Sequence, residues 1–106
     1  MDELGGTEAS IAAFDDLRGA RVVAIAGEVD ISNVGGVEAE FAALVGAARR
    51  PVVVDLSALA FMDSSGVAML LRAAEKAGPL TIRDPSPIVR QLIAASGLAE
   101  VLRIEG

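Results

Sequence analysis

The chain has 106 residues, a net charge of -6 and an apolar fraction of 53%, and it contains no Cys, His, Trp or Tyr. This length fits one domain, which buries about two thirds of the surface that the unfolded chain exposes. The absence of Cys and His excludes disulfides, thiolate or imidazole metal ligands and the usual catalytic nucleophile and base. The acidic balance and the few aromatic rings argue against direct contact with nucleic acid.

The first ten residues are acidic and have no apolar stretch behind a positive start, so they do not resemble a signal peptide. Uninterrupted apolar runs such as residues 22–26 are far shorter than the roughly 20 residues that cross a bilayer. We therefore expect a cytoplasmic protein without membrane contact. We also expect a flexible N-terminus at residues 1–7 and one folded domain at 8–106.

The first half of the chain predicts a hairpin and a helix. Segments 9–16 and 21–28 are rich in β-branched and small apolar residues around a turn at 17–20, which predicts an antiparallel hairpin. From Val34 onward, apolar residues recur at helical spacing and predict a first helix. These residues are Val37, Phe41, Leu44 and Ala48. We expect the helix to end near Arg49-Arg50, where positive charge suits the helix dipole.

The second half alternates strands with helices. Pro51–Leu56 is an apolar run apart from Asp55, which predicts a strand buried on both faces and paired in parallel. A second helix places Val67, Leu70, Leu71 and Ala74 on one face, and Gly78-Pro79 ends it. Leu80–Ile82 predicts another strand. Pro85-Ser86-Pro87 opens a third helix that ends at Gly97.

This order predicts a single α/β domain, with a mostly parallel sheet of four to five strands, an N-terminal antiparallel hairpin and three or more helices. The carboxyl ends of such strands share one edge of the sheet. We therefore expect three polar segments to lie near one another. They are Asp30 with Ser32, residues 63–66 and residues 84–86.

Asp63-Ser64-Ser65-Gly66 leads into the second helix, where unpaired backbone N–H groups and the positive helix dipole favour an oxygen. N-capping by Asp63 or Ser64 explains this pattern as well as a functional role does. Three features favour a functional hydroxyl: the excess of side-chain oxygens, the lack of a capping box, and Gly66, which is a poor residue for the start of a helix. Gly66 would also let another protein approach the adjacent hydroxyl closely. Backbone amides there would tolerate a phosphoryl group on Ser65.

The other polar segments have simpler explanations. Gly27–Asp30 with Ser32 and Asn33 fits the end of a strand and a helix cap better than a partner-contact edge. Gly35-Gly36 lacks the remaining glycines of a dinucleotide loop and the Lys-Ser/Thr of a phosphate loop. Acidic side chains at loop edges are more often solvated than bound to Mg²⁺, so we expect no metal site.

Three fragments occur here in the order and spacing of a known family. They are Gly27-Glu28-Val29-Asp30, Phe61-Met62-Asp63-Ser64-Ser65-Gly66, and Pro85–Arg90 followed by Ser96-Gly97-Leu98. From about Ser10 onward the chain resembles the anti-sigma factor antagonists of the STAS domain family, which implies a STAS domain that is not an enzyme. The chain departs from that family at Ala68, where a second glycine is common, and in the short connection Gly78–Leu80.

In that family the unphosphorylated domain binds an anti-sigma factor that is also a serine kinase, which frees a sigma factor, and phosphorylation ends the binding. The resemblance implies that Ser65 is the phosphorylated residue and that Asp30 and Asp63 lie near the kinase interface. The kinase would bring ATP and Mg²⁺, so this chain needs no cofactor, and a phosphoserine phosphatase would reset the switch. We predict the partner contacts Asp30, Ser32, Asp63, Ser64, Ser65 and Gly66.

Two other functions stay open. In a STAS subunit of a transporter or of a multiprotein sensor complex, Ser65 would never be modified. A serine hydrolase with Ser64 or Ser65 as its nucleophile is disfavoured, because the chain has no His to deprotonate the hydroxyl and no Gly-x-Ser-x-Gly elbow around it.

Overall fold

The structure is a computed structural model and describes residues 8–47 and 50–105. The predicted flexible segment, 1–7, lies outside these residues. The elements in chain order are β1 (Ala9–Asp15), β2 (Arg21–Val29), α1 (Val34–Val45), β3 (Val52–Asp55), β4 (Leu59–Met62), α2 (Ser64–Ala77), β5 (Leu80–Arg83), α3 (Pro87–Ser96) and β6 (Leu102–Glu105).

The strands form one sheet in the order β1-β2-β3-β5-β6, and β4 pairs with β2. The β1–β2 pair is antiparallel and the other pairs are parallel, so the predicted α/β fold with an N-terminal hairpin is confirmed. The sheet has six strands rather than the expected four to five. Strand β4 has no alternating pattern, because its two end residues are buried and its two central residues are exposed, and the sequence therefore did not indicate it.

All three helices pack on one face of the sheet. The parallel strands follow one another in a single direction, and right-handed crossovers then place every connecting helix on the same side. The buried side chains of the helices, such as Phe41, Leu70 and Ile93, join one core with Ile25 and Ile82 of the strands. Among the described residues, no helix is long and apolar enough to cross a bilayer.

Strand β2 is irregular at Gly27, and from this residue onward it pairs with β4. Gly27 has a φ of +95°, in the left-handed region, and the register of the β2–β4 pair shifts between Gly27 and Glu28. The Gly27 N–H donates to the Ala58 carbonyl at 3.2 Å. Glu28 and Val29 then pair with β4, so the ends of β2 and β4 lie side by side.

Two of the three helices end where the sequence predicts. Helix α2 ends before Gly78 and α3 ends before Gly97, as predicted. Helix α1 ends at Val45, not near Arg49-Arg50, because Gly46 has a φ of +67° and donates its N–H to the Ala42 carbonyl. Arg50 pairs instead with Asp15, at 2.7 Å between Nη1 and Oδ1, and Arg49 lies outside the described residues.

Gly27 is a position where we expect no other residue to be tolerated. A Cβ built there lies 2.5 Å from the Glu8 carbonyl oxygen, whereas a Cβ on Gly19, which also has a positive φ, meets open space. Gly19→Ala should lower the free energy of unfolding by only about 1 to 2 kcal/mol, the cost of the backbone conformation. Gly27→Ala should cost clearly more, in urea unfolding followed by circular dichroism. Equal losses in the two variants would contradict this role of Gly27.

Candidate functional site

The pairing of β2 with β4 brings two of the predicted polar segments together. The Asp63 N–H donates to the Val29 carbonyl at 3.2 Å, directly where the two strands end. The backbone amide of Ile31, in the loop after β2, lies close enough to the Asp63 carboxylate to help lower its pKa. The loop after β2 and the start of α2 therefore form one surface, as expected for Asp30, Ser32 and residues 63–66.

Ser65 lies in the first turn of α2 and is half-buried, whereas Ser64 is exposed. Asp63 is the N-cap residue, and its Oδ1 accepts the Ser65 N–H at 2.9 Å. The same Oδ1 accepts the Ser65 Oγ hydroxyl at 2.5 Å. The capping role that the sequence left open therefore belongs to Asp63, and the same carboxylate also fixes the Ser65 hydroxyl.

The surroundings of Asp63 favour its ionised form. The Ser65 hydroxyl is the main cause that lowers the pKa of the Asp63 carboxyl, and the backbone amides of Ser65, Gly66 and Ile31 add to it, against a smaller opposing effect of burial. A carboxylate thus stands beside the Ser65 oxygen at neutral pH. It can hold the hydroxyl in place, and it opposes any further negative charge on that oxygen.

The loop after β2 repeats the same local geometry. Asp30 Oδ1 accepts the Ser32 N–H at 2.9 Å and the Ser32 hydroxyl at 2.6 Å. Asn33 occupies the N-cap position of α1 but makes no side-chain cap bond to it. Its Oδ1 accepts the Asp30 N–H and its Nδ2 donates to the Glu28 carbonyl, so Asn33 holds the loop rather than the helix. The segment ends β2 and precedes α1 as expected, with Asn33 as the N-cap residue, but the Asn33 side chain does not bond to the helix.

Gly66 has a different role from the predicted one. It is buried, and a Cβ built on it lies 2.4 Å from Cγ and 2.9 Å from Sδ of Met62. The prediction that Gly66 leaves room for another protein is wrong on the side where a Cβ would point, because Met62 of the same chain fills that space. Gly66 lets the end of β4 pack closely under the first turn of α2.

The segment 84–86 does not join this surface. Through β3, Arg83 at the end of β5 is level with Ala24 of β2, whereas Met62 at the end of β4 is level with Val29. The difference along β2 corresponds to about 16 Å at roughly 3.3 Å per residue. The expected proximity of residues 84–86 to Asp63 is therefore wrong, since β4 extends the site beyond the end of β5. Ser86 instead caps α3, where its Oγ accepts the Val89 N–H.

Two exposed apolar side chains adjoin the site, and sequence patterns did not indicate them as contacts. Ile31 is 77% exposed and follows Asp30, and Phe61 is 48% exposed and pairs with Glu28 two residues before Asp63. The sequence offered one indication of an exposed contact at Ile31, which is that this apolar residue lies between the polar residues Asp30 and Ser32 in a loop. Among the described residues, no group of three acidic side chains is arranged to hold a metal ion.

Comparisons with known proteins agree with this fold. Residues 12–104 match the family model described as Mlab, STAS domain. The chain is 30% identical over 95 residues to the putative anti-sigma factor antagonist BtrV of Bordetella bronchiseptica, and the match covers 86% of this chain and 82% of that protein.

Solved structures of two similar proteins superpose on most of the chain. An anti-sigma factor antagonist from Mycobacterium paratuberculosis matches with a TM-score of 0.77 and 27% identity, over 92% of this chain and 85% of that one. The Bacillus cell fate determinant SpoIIAA in its phosphorylated form matches with a TM-score of 0.65 and 27% identity, over 92% of each chain. From its fold, its motifs and the matched family model, the chain belongs to the STAS domain family.

Proposed function

We propose that this chain is an anti-sigma factor antagonist, a cytoplasmic binding protein without catalytic activity of its own, and that phosphorylation of Ser65 controls its binding. Two similar proteins are described as anti-sigma factor antagonists, and a third, SpoIIAA, has a phosphorylated form. The observation that carries the proposal is the half-buried Ser65 hydroxyl, held on Asp63 in the first turn of α2.

The anti-sigma factor would itself be the kinase and would supply ATP and Mg²⁺. In the transfer, Ser65 Oγ bonds to the γ-phosphorus of ATP, the bond from that phosphorus to ADP breaks, and the hydroxyl proton leaves to a base of the kinase. A phosphatase would restore the hydroxyl by hydrolysis. A hydrolase is disfavoured because the chain has no His, and because the Asp63 carboxylate beside the Ser65 hydroxyl has a lowered pKa and is therefore a weak base.

The phosphoryl group would change the charge of the surface while the fold stays intact. The phosphoryl group carries a charge of about -1.5 to -2, and backbone amides at the start of α2 can donate hydrogen bonds to its oxygens. It also removes the hydroxyl that Asp63 holds. A unit charge of the same sign at about 6 Å costs roughly 2 to 3 kcal/mol at an effective dielectric of about 20, before screening by salt.

The exposed side chains of Ile31 and Phe61 are the apolar part of the proposed contact surface. Burial of such side chains against a partner is favourable because it removes apolar area from water. A dianion beside them would have to lose its water at the same contact, which is unfavourable unless the partner supplies a positive group. The unphosphorylated state would therefore be the binding state.

Phosphorylation of Ser65 can be tested with the purified chain, radiolabelled ATP and the anti-sigma factor kinase of its own host. We expect one phosphoryl group per chain, lost in Ser65→Ala and retained in Ser64→Ala, because only the Ser65 hydroxyl is fixed on Asp63. Intact mass gives the stoichiometry, and peptide mass spectra give the position. Label that persists in Ser65→Ala would contradict the proposal, and a chain that is never labelled would favour an unmodified STAS subunit.

The contact surface can be tested with a matched pair of exposed isoleucines. Ile31 adjoins Asp30, whereas Ile88 lies on α3 and is also well exposed, at 64%. Ile31→Asp should weaken binding to the anti-sigma factor at least tenfold in titration calorimetry, and Ile88→Asp should leave the dissociation constant nearly unchanged. Equal effects of the two substitutions would show that the partner does not use this surface.

Asp63 should make stability depend on pH. Its folded pKa lies below the ordinary value of 3.8, so its contribution is complete at neutral pH and is lost as the pH falls through the folded pKa. Asp63→Ala should lower the free energy of unfolding by about 0.5 to 2 kcal/mol at pH 7, the usual value of an N-cap. The difference from the wild type should shrink below about pH 4.

Asp63→Asn is the matched control, because an Asn side chain caps a helix as well but does not titrate. It should retain most of the stability at pH 7 and lose the acid-dependent part. Urea unfolding at several pH values measures both effects. A stability difference between the wild type and Asp63→Ala that is the same at pH 3 and at pH 7 would contradict the proposed role of the carboxylate.

A further inference from the structure

Strand β1 is an edge strand without the usual protection against pairing. Among the described residues, no strand pairs with its outer side, and residues 9–14 contain neither a charged side chain nor Pro. Proteins normally protect such edges with charge, Pro, bulges or short length. The opposite edge, β6, shows this protection, because it has four residues and carries Arg103 and Glu105.

The unpaired backbone groups of β1 can be identified from its pairing with β2. Glu28 donates its N–H to the Glu8 carbonyl, and Asp16 donates to the Ala20 carbonyl, each at 2.9 Å. The register between these two pairs is continuous, so hydrogen-bonded pairs alternate with pairs that are not hydrogen-bonded. The even-numbered residues of β1 therefore bond to β2. The odd-numbered residues, Ala9, Ile11, Ala13 and Asp15, direct their N–H and C=O groups outward.

We propose that a second copy of this chain pairs with β1 in antiparallel fashion, about a two-fold axis at Ala12. This register places Ile11 opposite Ala13 of the second copy and Ala9 opposite Asp15 of the second copy. Every outward-directed residue of β1 then lies in a hydrogen-bonded pair, and each such pair exchanges two backbone bonds. Ala12 lies opposite its own copy, in a pair without hydrogen bonds, where side chains approach closely.

The charges along β1 favour this antiparallel arrangement. The start of the strand is acidic, with Glu8 and its neighbour Glu28. The other end carries one positive charge more than it has negative charges. Its charged residues are Arg18, Arg21 and Arg50 against Asp15 and Asp16. Antiparallel pairing about Ala12 places Glu8 of each copy opposite Asp16 of the other, at an end where three arginines outnumber two carboxylates. Parallel pairing would instead bring the acidic starts of the two copies together.

The face of β1 away from the helices supports the same register. Phe14 is 55% exposed there, on the side opposite the core that contains Ile11 and Ala13. In the proposed pair it lies opposite Ser10 of the second copy and diagonally across from Ala12 of the second copy, within reach of an aromatic ring. Pairing would thus bury part of a ring that the single chain leaves in water.

Sedimentation velocity of the whole unphosphorylated chain, from micromolar to millimolar concentration, tests the proposal. We expect a reversible monomer–dimer equilibrium that weakens as NaCl is added, because opposite charges meet at both ends of the interface. Ala12→Lys places two ammonium groups across the two-fold axis and should lower the association constant at least tenfold. Ala12→Thr, a good strand former without charge, should keep the dimer.

Ala13→Pro gives a second test, because it removes an outward-directed N–H and leaves the hydrogen bonds to β2 intact. It should abolish the dimer while circular dichroism shows a folded chain. If Ala13→Pro does not fold, the association constants of Ala12→Lys and Ala12→Thr test the proposal instead. A wild type that stays monomeric at every concentration, or a dimer that Ala12→Lys does not weaken, overturns the proposal.

Discussion

The site depends on one structural constraint, the pairing of β2 with β4 beyond Gly27. This short pair places Asp63 beside the Val29 carbonyl and brings the Ile31 amide to the Asp63 carboxylate. The left-handed backbone of Gly27 lies where this pairing shifts register, just before the loop that meets the start of α2. Gly66 completes the arrangement because the absence of a side chain leaves room for Met62 under the first turn of α2. Two glycines therefore determine where the acidic and hydroxyl groups lie.

The capping and functional interpretations of Asp63-Ser64-Ser65 do not exclude each other. One carboxylate oxygen accepts both the N–H and the hydroxyl of Ser65, so the group that stabilises the helix also fixes the hydroxyl. We expect a capped helix start to keep its remaining amides in place if the hydroxyl is phosphorylated. This rigidity is what a switch needs if charge, rather than refolding, is to change its affinity for a partner.

The sequence predicted the elements with strong periodic patterns and missed those set by tertiary contact. The hairpin, the course of α2 and the stop at Gly97 followed from local patterns. Strand β4 has no alternating pattern, so its pairing with β2 and the distance of residues 84–86 from the site could not be derived. The close packing of Gly66 on Met62 also depends on two elements meeting in space, and a glycine in a sequence does not show which neighbour requires it.

The same topology explains why the two proposed interaction surfaces are separate from each other. Because the parallel strands progress in one direction, the helices form a single layer, and the antiparallel hairpin leaves β1 at the edge of the sheet. The loops at the carboxyl ends of β2 and β4 lie at the end of the sheet, where no backbone ladder continues. A charge added to Ser65 acts on those loops, whereas pairing at β1 uses backbone groups that point away from β2. The centre of that edge, Ala12, lies opposite Ala24 of β2. Ala24 is five residues from Val29, which corresponds to about 16 Å at roughly 3.3 Å per residue. Addition of a phosphoryl group to Ser65 therefore leaves the outward-directed backbone groups of β1 unchanged.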